Sequence, residues 1–413
     1  MNITDGGVTA AKGFTAAAAA AEIKYTGRTD MAMIVSELPC HAAGTFTQNV
    51  VKAAPVLWDR ALVESGKEIH AVVVNSGIAN ACTGEEGFRY CRETSQAVAE
   101  ALRKTADLPM DADSVLVAST GVIGMQLPMD RVKNGIGLLA EGLSDTRQAA
   151  HEAACAIMTT DTVPKETAVS FEIGGKTVTI GGMCKGSGMI HPNMCTMLGF
   201  LTTDCDIDDV LLKEALREDV KDTFNMISVD GDTSTNDTLL LLANGAAQNP
   251  KITKSGANYD AFRAALHEVN ETLAKKMAGD GEGATALFEV KVTGADTKEH
   301  AKILAKSVVT SSLTKAAIYG HDANWGRILC ALGYAGVDFD PLKVELFFES
   351  AAGKIKIAEN GTGTGYSEEE ATKILSQPEV TALVDMHMGD AAATAWGCDL
   401  THEYVSINAD YRS

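Results

Sequence analysis

Short apolar runs of strand type alternate along this chain with amphipathic helical segments. AVVV at residues 71–74 and VLVA at 115–118 each lead into a polar turn that contains glycine, and residues 93–104 between them have helical spacing. A longer helix is predicted for residues 259–277, where apolar side chains recur at steps of four and three, and DGEG at 280–283 ends it. Such alternation is typical of an α/β or α+β protein.

Four further elements are predicted from local patterns. Residues 177–180 and 287–292 have strand character, residues 298–313 indicate a helix, and the alternation HEYVSI at 402–407 indicates a strand. The chain has 413 residues, of which 46% are hydrophobic and 5% aromatic, so it can bury a large core built mainly from aliphatic side chains. No repeat or low-complexity linker marks a domain boundary.

The charge and the cysteines exclude several classes of function. A formal net charge of −20 argues against nucleic acid or an anionic membrane as a partner, because both need a basic face. The nine cysteines are scattered and form no C-x-x-C pair, which favours reduced thiols in a cytoplasmic protein. The N-terminus lacks the pattern of a signal peptide.

No metal or dinucleotide site is predicted. DGDTSTND at 230–237 superficially resembles a calcium loop, but its glycine is at the second position and Leu241 occupies the twelfth. We interpret it as a hydrogen-bonded turn near the site. No G-x-G-x-x-G motif follows a strand, so no dinucleotide is implied.

The stretch KGSGMIHPNMCTMLGFLTTD at residues 185–204 contains the candidate nucleophile, Thr196. Glycines on both sides of Ser187 and then Pro192 can hold the backbone in an unusual conformation just before Thr196. A threonine hydroxyl held against the preceding carbonyl can attack it, and hydrolysis of the resulting ester cuts the chain between Cys195 and Thr196. The freed amine, with a pKa of about 8, then serves as base for the hydroxyl beside it. Taken alone, a threonine after such a turn is usually a cap or turn residue.

This stretch resembles the autoproteolytic signature of the ornithine acetyltransferases, also called glutamate N-acetyltransferases. The resemblance continues in order along nearly the whole chain, through GVTAAKGF, TFTQNVVKAAPV, NSGIANACTG, STGVIG, MTTDTVPK, SVDGDTSTND, GDGEGAT, NWGRI and AWGCDLTHEYVSINADYRS. It implies an α/β fold of two β-sheets sandwiched between helices, an α-β-β-α arrangement. It also implies self-cleavage into an α chain, residues 1–195, and a β chain, residues 196–413.

The resemblance further implies an acyltransferase of arginine biosynthesis. Thr196 would take an acetyl group from N2-acetylornithine and pass it to L-glutamate. No cofactor is implied, although some family members also accept acetyl-coenzyme A as donor, and the sequence does not decide this. The two chains are expected to stay associated and to form homo-oligomers of αβ units.

The same resemblance assigns the oxyanion hole to Thr120 and Gly121, where the strand at 115–118 ends. Two convergent donors there would stabilise the negative charge that develops on the acetyl oxygen. Taken alone, STGVIG indicates only an ordinary strand-end turn.

The resemblance also implies the residues that line the amino-acid site: Thr162, Lys185, Thr196, Glu282, Asn408 and Ser413. Lys185 would supply the cation for a substrate carboxylate, although an isolated lysine is normally a solvated surface residue. Glu282 would either pair with a substrate ammonium or transfer a proton, and both roles stay open. The strand predicted at 402–407 would hold the tail in place.

Three positions depart from the family pattern, and one of them, His321, is assigned no function. Cys195 stands where alanine is common, and it is small enough to permit the acyl shift. Ile78 stands where asparagine is usual, so one polar group is missing from the loop NSGIANACTG. If that asparagine orients the oxyanion loop, its loss changes the fine geometry of the loop. Two other functional classes stay open: an amidase or aminopeptidase with an N-terminal threonine, and a binding protein that has kept the fold.

Overall fold

The computed structural model describes residues 1–106, 108–191 and 197–410. These ranges contain sixteen β-strands: β1 (Asn2–Thr4), β2 (Phe14–Ala19), β3 (Met31–Phe46), β4 (Ile69–Asn75), β5 (Val115–Ser119), β6 (Lys165–Ile173), β7 (Lys176–Lys185), β8 (Leu198–Thr203), β9 (Ile227–Ser228), β10 (Thr238–Ala243), β11 (Leu287–Ala295), β12 (Glu345–Ser350), β13 (Gly353–Glu359), β14 (Thr362–Gly363), β15 (Glu379–Asp385) and β16 (Ala391–Cys398).

Eleven α-helices lie in the same ranges: α1 (Ala54–Ser65), α2 (Glu85–Thr105), α3 (Met129–Glu141), α4 (Arg147–Ala156), α5 (Asp209–Asp219), α6 (Ala257–Gly279), α7 (Lys298–Thr310), α8 (Ser312–Tyr319), α9 (Trp325–Gly333), α10 (Glu368–Leu375) and α11 (His402–Ala409). Among the described residues, no helix is long and apolar enough to cross a membrane.

The described residues form two compact units. The first unit takes residues from 1–186, 197–224 and 233–273, and the second takes residues 187–191, 225–232 and 274–410. Each unit has its own β-sheet, so the predicted α/β class with two sheets is confirmed.

The sheet of the first unit has the strand order β1-β6-β7-β8-β10-β3-β4-β5, and β2 pairs with β3. Every residue of β4 is buried, as expected for a strand covered on both faces. Val72 and Val74 share a hydrophobic cluster with Ala153 of α4. Val73, on the opposite face, shares another cluster with Leu102 of α2. Helices therefore cover both faces of this part of the sheet.

Strand β8 lies inside this sheet and follows Thr196 closely in the chain. It pairs antiparallel with β7, where Lys185 is opposite Leu198, and parallel with β10, where Leu198 is opposite Thr238. Strand β10 in turn pairs with β3. Strands from before and after the predicted cut are therefore neighbours in one hydrogen-bonded sheet.

The sheet of the second unit has the order β14-β13-β12-β15-β11-β16-β9. Its central strand β11 runs parallel to β15 and antiparallel to β16. Phe288, Val290 and Val292 of β11 are fully buried. Helix α7 packs against β11 and β16, and the strand predicted at residues 287–292 is confirmed.

Several other local predictions are also confirmed. The strands predicted at 71–74, 115–118 and 177–180 lie within β4, β5 and β7. The long helix at 259–277 is α6, and its spaced apolar side chains are all fully buried: Phe262, Leu266, Val269, Leu273 and Met277.

Three predictions of local structure need correction. Residues 402–407 form helix α11 rather than a strand, because the Thr401 hydroxyl caps the helix by accepting the Tyr404 N–H. The single helix at 298–313 is two helices, since Ser311 has extended backbone angles and its hydroxyl caps α8. The helix predicted at 93–104 begins earlier, at Glu85.

The strand order predicts how a chain cut between residues 195 and 196 behaves. The two products should elute together from a gel-filtration column in native buffer and separate only in denaturant, because β8 and β10 of the second product hydrogen-bond to β7 and β3 of the first. Elution of either product alone in native buffer would contradict this strand order.

Candidate active site

Two parallel strands of the first unit, β4 and β5, end side by side, with Asn75 opposite Ser119. The Ser119 hydroxyl donates to Asn75 Oδ1 at 2.7 Å, and the Thr120 N–H donates to the Asn75 carbonyl at 3.0 Å. Asn75 Nδ2 donates to the Ile78 carbonyl at 2.8 Å. Asn75 thus fixes the two strand-end loops against each other, at the edge of a sheet where ligands commonly bind.

Gly121 lies in the loop after β5 and can only be glycine. Its φ is +124°, and a Cβ there would overlap the carbonyl group of Gly77. Within the described part of the chain, the Gly121 N–H makes no hydrogen bond. Thr120, its neighbour, is 9% exposed. Gly121 and Thr120, the residues predicted to form an oxyanion hole, therefore present a backbone N–H and a hydroxyl next to each other in the chain.

A third segment holds this loop from the other side. Asn236 Nδ2 donates to the Ala79 carbonyl at 2.6 Å and to the Ser119 carbonyl at 2.9 Å. Asn236 belongs to the turn at residues 230–237, so the interpretation of that turn as a hydrogen-bonded structure is confirmed, and it contacts the residue before Thr120. The sequence pattern gave no sign that this side chain reaches two carbonyls so distant along the chain.

Lys185 is the last residue of β7 and is buried, unlike a solvated surface lysine. Its Nζ donates to the Thr159 hydroxyl at 2.9 Å and to the Thr120 hydroxyl at 3.4 Å. Asp161 Oδ2 lies 3.9 Å from the same nitrogen. The structure therefore brings together Lys185 and Thr120, which the sequence placed in the site separately.

Asp161 is the buried counter-charge of this cluster. Its Oδ1 accepts from Lys165 Nζ at 2.7 Å, and the Lys165 side chain is fully buried. Burial alone would raise the pKa of Asp161, but the ammonium groups of Lys185 and Lys165 outweigh it and hold the pKa below its ordinary value. Sequence reasoning missed both Asp161 and Lys165.

Glu282 lies in the second unit, in the turn that follows α6. Its N–H donates to the Ser187 carbonyl at 3.1 Å, and the Ser187 hydroxyl donates to the Asp280 carbonyl at 2.7 Å. A Cβ at Gly188 would overlap the Glu282 carboxyl group. A side chain at residue 188 would therefore require the Glu282 carboxyl group to move.

Helix α11 brings Asn408 to this carboxylate. Asn408 Nδ2 donates to Glu282 Oε2 at 2.6 Å, so these two predicted site residues are in contact. The Thr401 hydroxyl at the start of α11 donates to the Gly283 carbonyl at 2.8 Å. The predicted docking of the tail is confirmed up to Asn408, although a helix and not a strand provides it.

Asp230 fixes the backbone that leads toward residue 196. Its carboxylate accepts from the Met189 N–H at 2.6 Å and from the Ile190 N–H at 3.0 Å. The Tyr404 hydroxyl of α11 donates to the same carboxylate at 3.3 Å. This part of the 185–204 stretch is therefore held in a defined conformation, as its glycines predicted.

Burial controls the charge of the groups beside that segment. His191 Nδ1 lies 3.0 Å from the Ser228 hydroxyl, and burial, together with nearby Lys306, lowers the pKa of His191 to about 4. Burial also lowers the pKa of Lys306 to about 7. His191 is therefore a neutral imidazole at pH 7.

The remaining predicted residues divide into two groups. Cys195, Thr196 and Ser413 lie outside the described residues. Thr162 is exposed, and the hydroxyl that the structure shows beside Lys185 is that of Thr159, three residues earlier in the same TTDT motif. Thr162 therefore stays a prediction of the family resemblance.

Ile78 lies in the core beside the loop for which the oxyanion hole is predicted. Its side chain is 2% exposed within a hydrophobic cluster, and its backbone forms a bridge with Val122. Asn75, not residue 78, orients the loop. Among the described residues, no group of three or more His, Cys, Asp or Glu side chains is arranged to hold a metal ion.

Known proteins resemble this chain along its whole length. A model of the ArgJ family matches residues 15–413. An arginine biosynthesis bifunctional protein ArgJ from Symbiobacterium thermophilum is 53% identical over 410 residues, 99% of each chain. Another from Thermotoga neapolitana is 49% identical over 403 residues, 97% of this chain and 99% of its own. A crystal structure of ArgJ from Bacillus halodurans is 46% identical and covers 51% of this chain and 97% of its own, with a TM-score of 0.49.

The Gly121 geometry predicts a specific loss of stability. Gly121→Ala should lower the free energy of unfolding by about 1–3 kcal/mol, because a methyl group would overlap the Gly77 backbone at a φ that alanine disfavours. Urea unfolding followed by circular dichroism measures this. Gly137→Ala in α3 is the matched control, since nothing lies within 4 Å of its added Cβ. Equal stability of the Gly121 variant and wild type would contradict the described geometry.

Proposed function

The chain belongs to the ArgJ family, and on that premise we propose a glutamate N-acetyltransferase of arginine biosynthesis that moves an acetyl group from N2-acetylornithine to L-glutamate. The match to bifunctional ArgJ proteins over nearly the whole chain carries this proposal. The reaction needs no cofactor, because donor, acceptor and one threonine supply every reacting group. Acetyl-coenzyme A is the alternative donor, and replacing N-acetylornithine with it in the same assay measures that reaction.

The nucleophile is made by self-cleavage. The Thr196 hydroxyl attacks the Cys195 carbonyl, the peptide C–N bond breaks, and the chain is joined through an ester. Water then hydrolyses the ester and leaves a carboxylate on Cys195 and a free α-amine on Thr196. The hydrogen bonds from Met189 and Ile190 to Asp230 support this step, because they fix the backbone that leads to the scissile bond.

Acetyl transfer then proceeds in two half-reactions. The Thr196 amine, with a pKa of about 8, accepts the hydroxyl proton while Oγ attacks the acetyl carbonyl of N-acetylornithine. Ornithine leaves after receiving a proton on its amine, and an acetyl ester remains on Thr196. The amine of glutamate attacks this ester, loses a proton and departs as N-acetylglutamate.

Thr120 and Gly121 stabilise the oxyanion in both half-reactions. The Gly121 N–H and the Thr120 hydroxyl are positioned by Asn75 and Asn236 before any substrate arrives. Preorganised donors of this kind contribute about 3–4 kcal/mol each to transition-state stabilisation.

Amino-acid recognition depends on charged and polar side chains. Lys185 and Thr159 bind a substrate carboxylate, and Thr162 and Ser413 complete the polar lining. Glu282 binds an ammonium group, and Asn408 orients the carboxylate by its bond of 2.6 Å. A zwitterionic substrate has a carboxylate and an ammonium group, so it needs both a cationic and an anionic partner.

The assembly is also part of the proposal. Both cleavage products stay together as one αβ unit, and these units form a homo-oligomer, which light scattering measures. A cytoplasmic location fits the eight described cysteines, all of which are free thiols.

Removing the hydroxyl of residue 196 tests the proposal. Wild-type protein mixed with N-acetylornithine and glutamate should yield N-acetylglutamate, and denaturing mass spectrometry should find two pieces joined at 195/196. Thr196→Ala should remain one uncut chain with no product, because it has no nucleophile. Thr196→Ser is the matched control and should still be cut.

Two outcomes would overturn the proposal in different ways. Free acetate as the main product would make the protein a hydrolase with the same nucleophile. An uncut wild-type chain, or cleavage that persists in Thr196→Ala, would remove the basis for a threonine with a free amine.

Replacing Glu282 separates binding from proton transfer. Glu282→Gln should raise KM for N-acetylornithine by about tenfold with little change in kcat, because charge pairing with the ammonium is lost. A fall in kcat of about 100-fold or more at unchanged KM would instead assign proton transfer to Glu282. Steady-state kinetics with varied donor measures both constants.

A further inference from the structure

One carboxylate in the first unit has no role in the reaction described above, yet it contacts three segments beside Lys185. Asp161 Oδ1 accepts from Lys165 Nζ at 2.7 Å and from the Gly186 N–H at 2.7 Å. Its Oδ2 accepts from the Thr159 N–H at 3.0 Å and lies 3.9 Å from Lys185 Nζ. The Asp161 side chain is fully buried.

These bonds join three parts of the chain at one point. Thr159 belongs to the segment after α4, Lys165 begins β6, and Gly186 follows β7. A carboxylate offers about four acceptor sites, and three of those of Asp161 are occupied, by one donor from each segment. Movement of this side chain would therefore displace Lys185 and Thr159 together.

The charges of the cluster also require Asp161. Two ammonium groups lie within 4 Å of the same buried carboxylate, at 2.7 Å for Lys165 and 3.9 Å for Lys185. Removing one partner of a buried ion pair leaves an uncompensated charge, which is strongly unfavourable. Lys165 is the closer cation and has no exposed surface, so it cannot contact a substrate from solution.

We propose that Asp161 is a positioning residue of the acetyl transfer: it fixes the Lys185 ammonium and the Thr159 hydroxyl for the substrate carboxylate, and Lys165 is the structural cation that fixes Asp161. This inference rests on the proposed function, because Lys185 must bind substrate for its position to matter. It assigns different roles to two lysines of the same cluster.

The test compares Asp161→Asn, Lys165→Met and the double variant by steady-state kinetics with varied N-acetylornithine and glutamate. Asp161→Asn should raise KM for at least one substrate by about tenfold, with a smaller change in kcat, because the lost interaction contributes to binding. The double variant keeps the net charge of the cluster, since it removes one cation and one anion. Its thermal stability should recover relative to Asp161→Asn, whereas its KM should remain raised.

Asp204→Asn is the matched control. Asp204 is also buried in the first unit and accepts from the backbone N–H groups of Thr179 and Lys12 at 2.8 and 3.1 Å, yet no contact joins it to Lys185. The KM values of the Asp204→Asn variant for both substrates should stay within about twofold of those of the wild-type protein. Denaturing mass spectrometry of each variant shows whether it is cleaved, and only cleaved protein is compared.

Each failure has a distinct signature. An unchanged KM in Asp161→Asn, or a KM that returns to the wild-type value in the double variant, would reduce Asp161 to a counter-ion for Lys165 and overturn the inference. Wild-type protein that forms only acetate would overturn the proposed acetyl transfer itself.

Discussion

The register between β7 and β8 is the constraint on which the first cluster of the site depends. It pairs Lys185, the last residue of β7, with Leu198, which follows Thr196 by two positions in the chain. A slip of one residue would turn the Lys185 side chain to the opposite face of the sheet, away from the Thr120 and Thr159 hydroxyls. The antiparallel bonds of β7 with β6 on its other edge oppose such a slip.

Close backbone packing defines the rest of the geometry. At Gly121 a carbonyl group of the neighbouring loop occupies the space of a side chain, and at Gly188 the carboxyl group of Glu282 does so. Side-chain amides then fix each loop, through the buried Asn75 and Asn236 in the first unit and through the exposed Asn408 in the second. Such preorganisation costs little when charge develops in a transition state, since the donors are already aligned.

The sequence predicted those features that depend on local pattern. Apolar spacing located α6 and the strands β4, β5, β7 and β11, because each buries one face or both. The strand predicted for residues 402–407 was wrong because the prediction relied on the alternation in HEYVSI. The local signal for a helix at that position is Thr401, whose hydroxyl caps α11. The break at Ser311 had a comparable signal in its hydroxyl cap.

Contacts between distant segments could not be predicted in the same way. Asp161 is 24 residues from Lys185 in the sequence, and Asn236 is 117 residues from Ser119, so only strand pairing brings them together. The resemblance to the family supplied Lys185, Glu282 and Asn408, but it gave no reason for their positions. The buried carboxylate and amides that hold them are the part of the site that required a structure.

Trapping an acetyl-enzyme would identify the nucleophile. Cleaved protein is mixed with N-acetylornithine without glutamate, and the masses of both chains and of the N-terminal peptide of the second chain are measured. A threonine nucleophile should give one added acetyl group on Thr196, which is lost as N-acetylglutamate when glutamate is added. No added mass, or an acetyl group on a different residue, would contradict it.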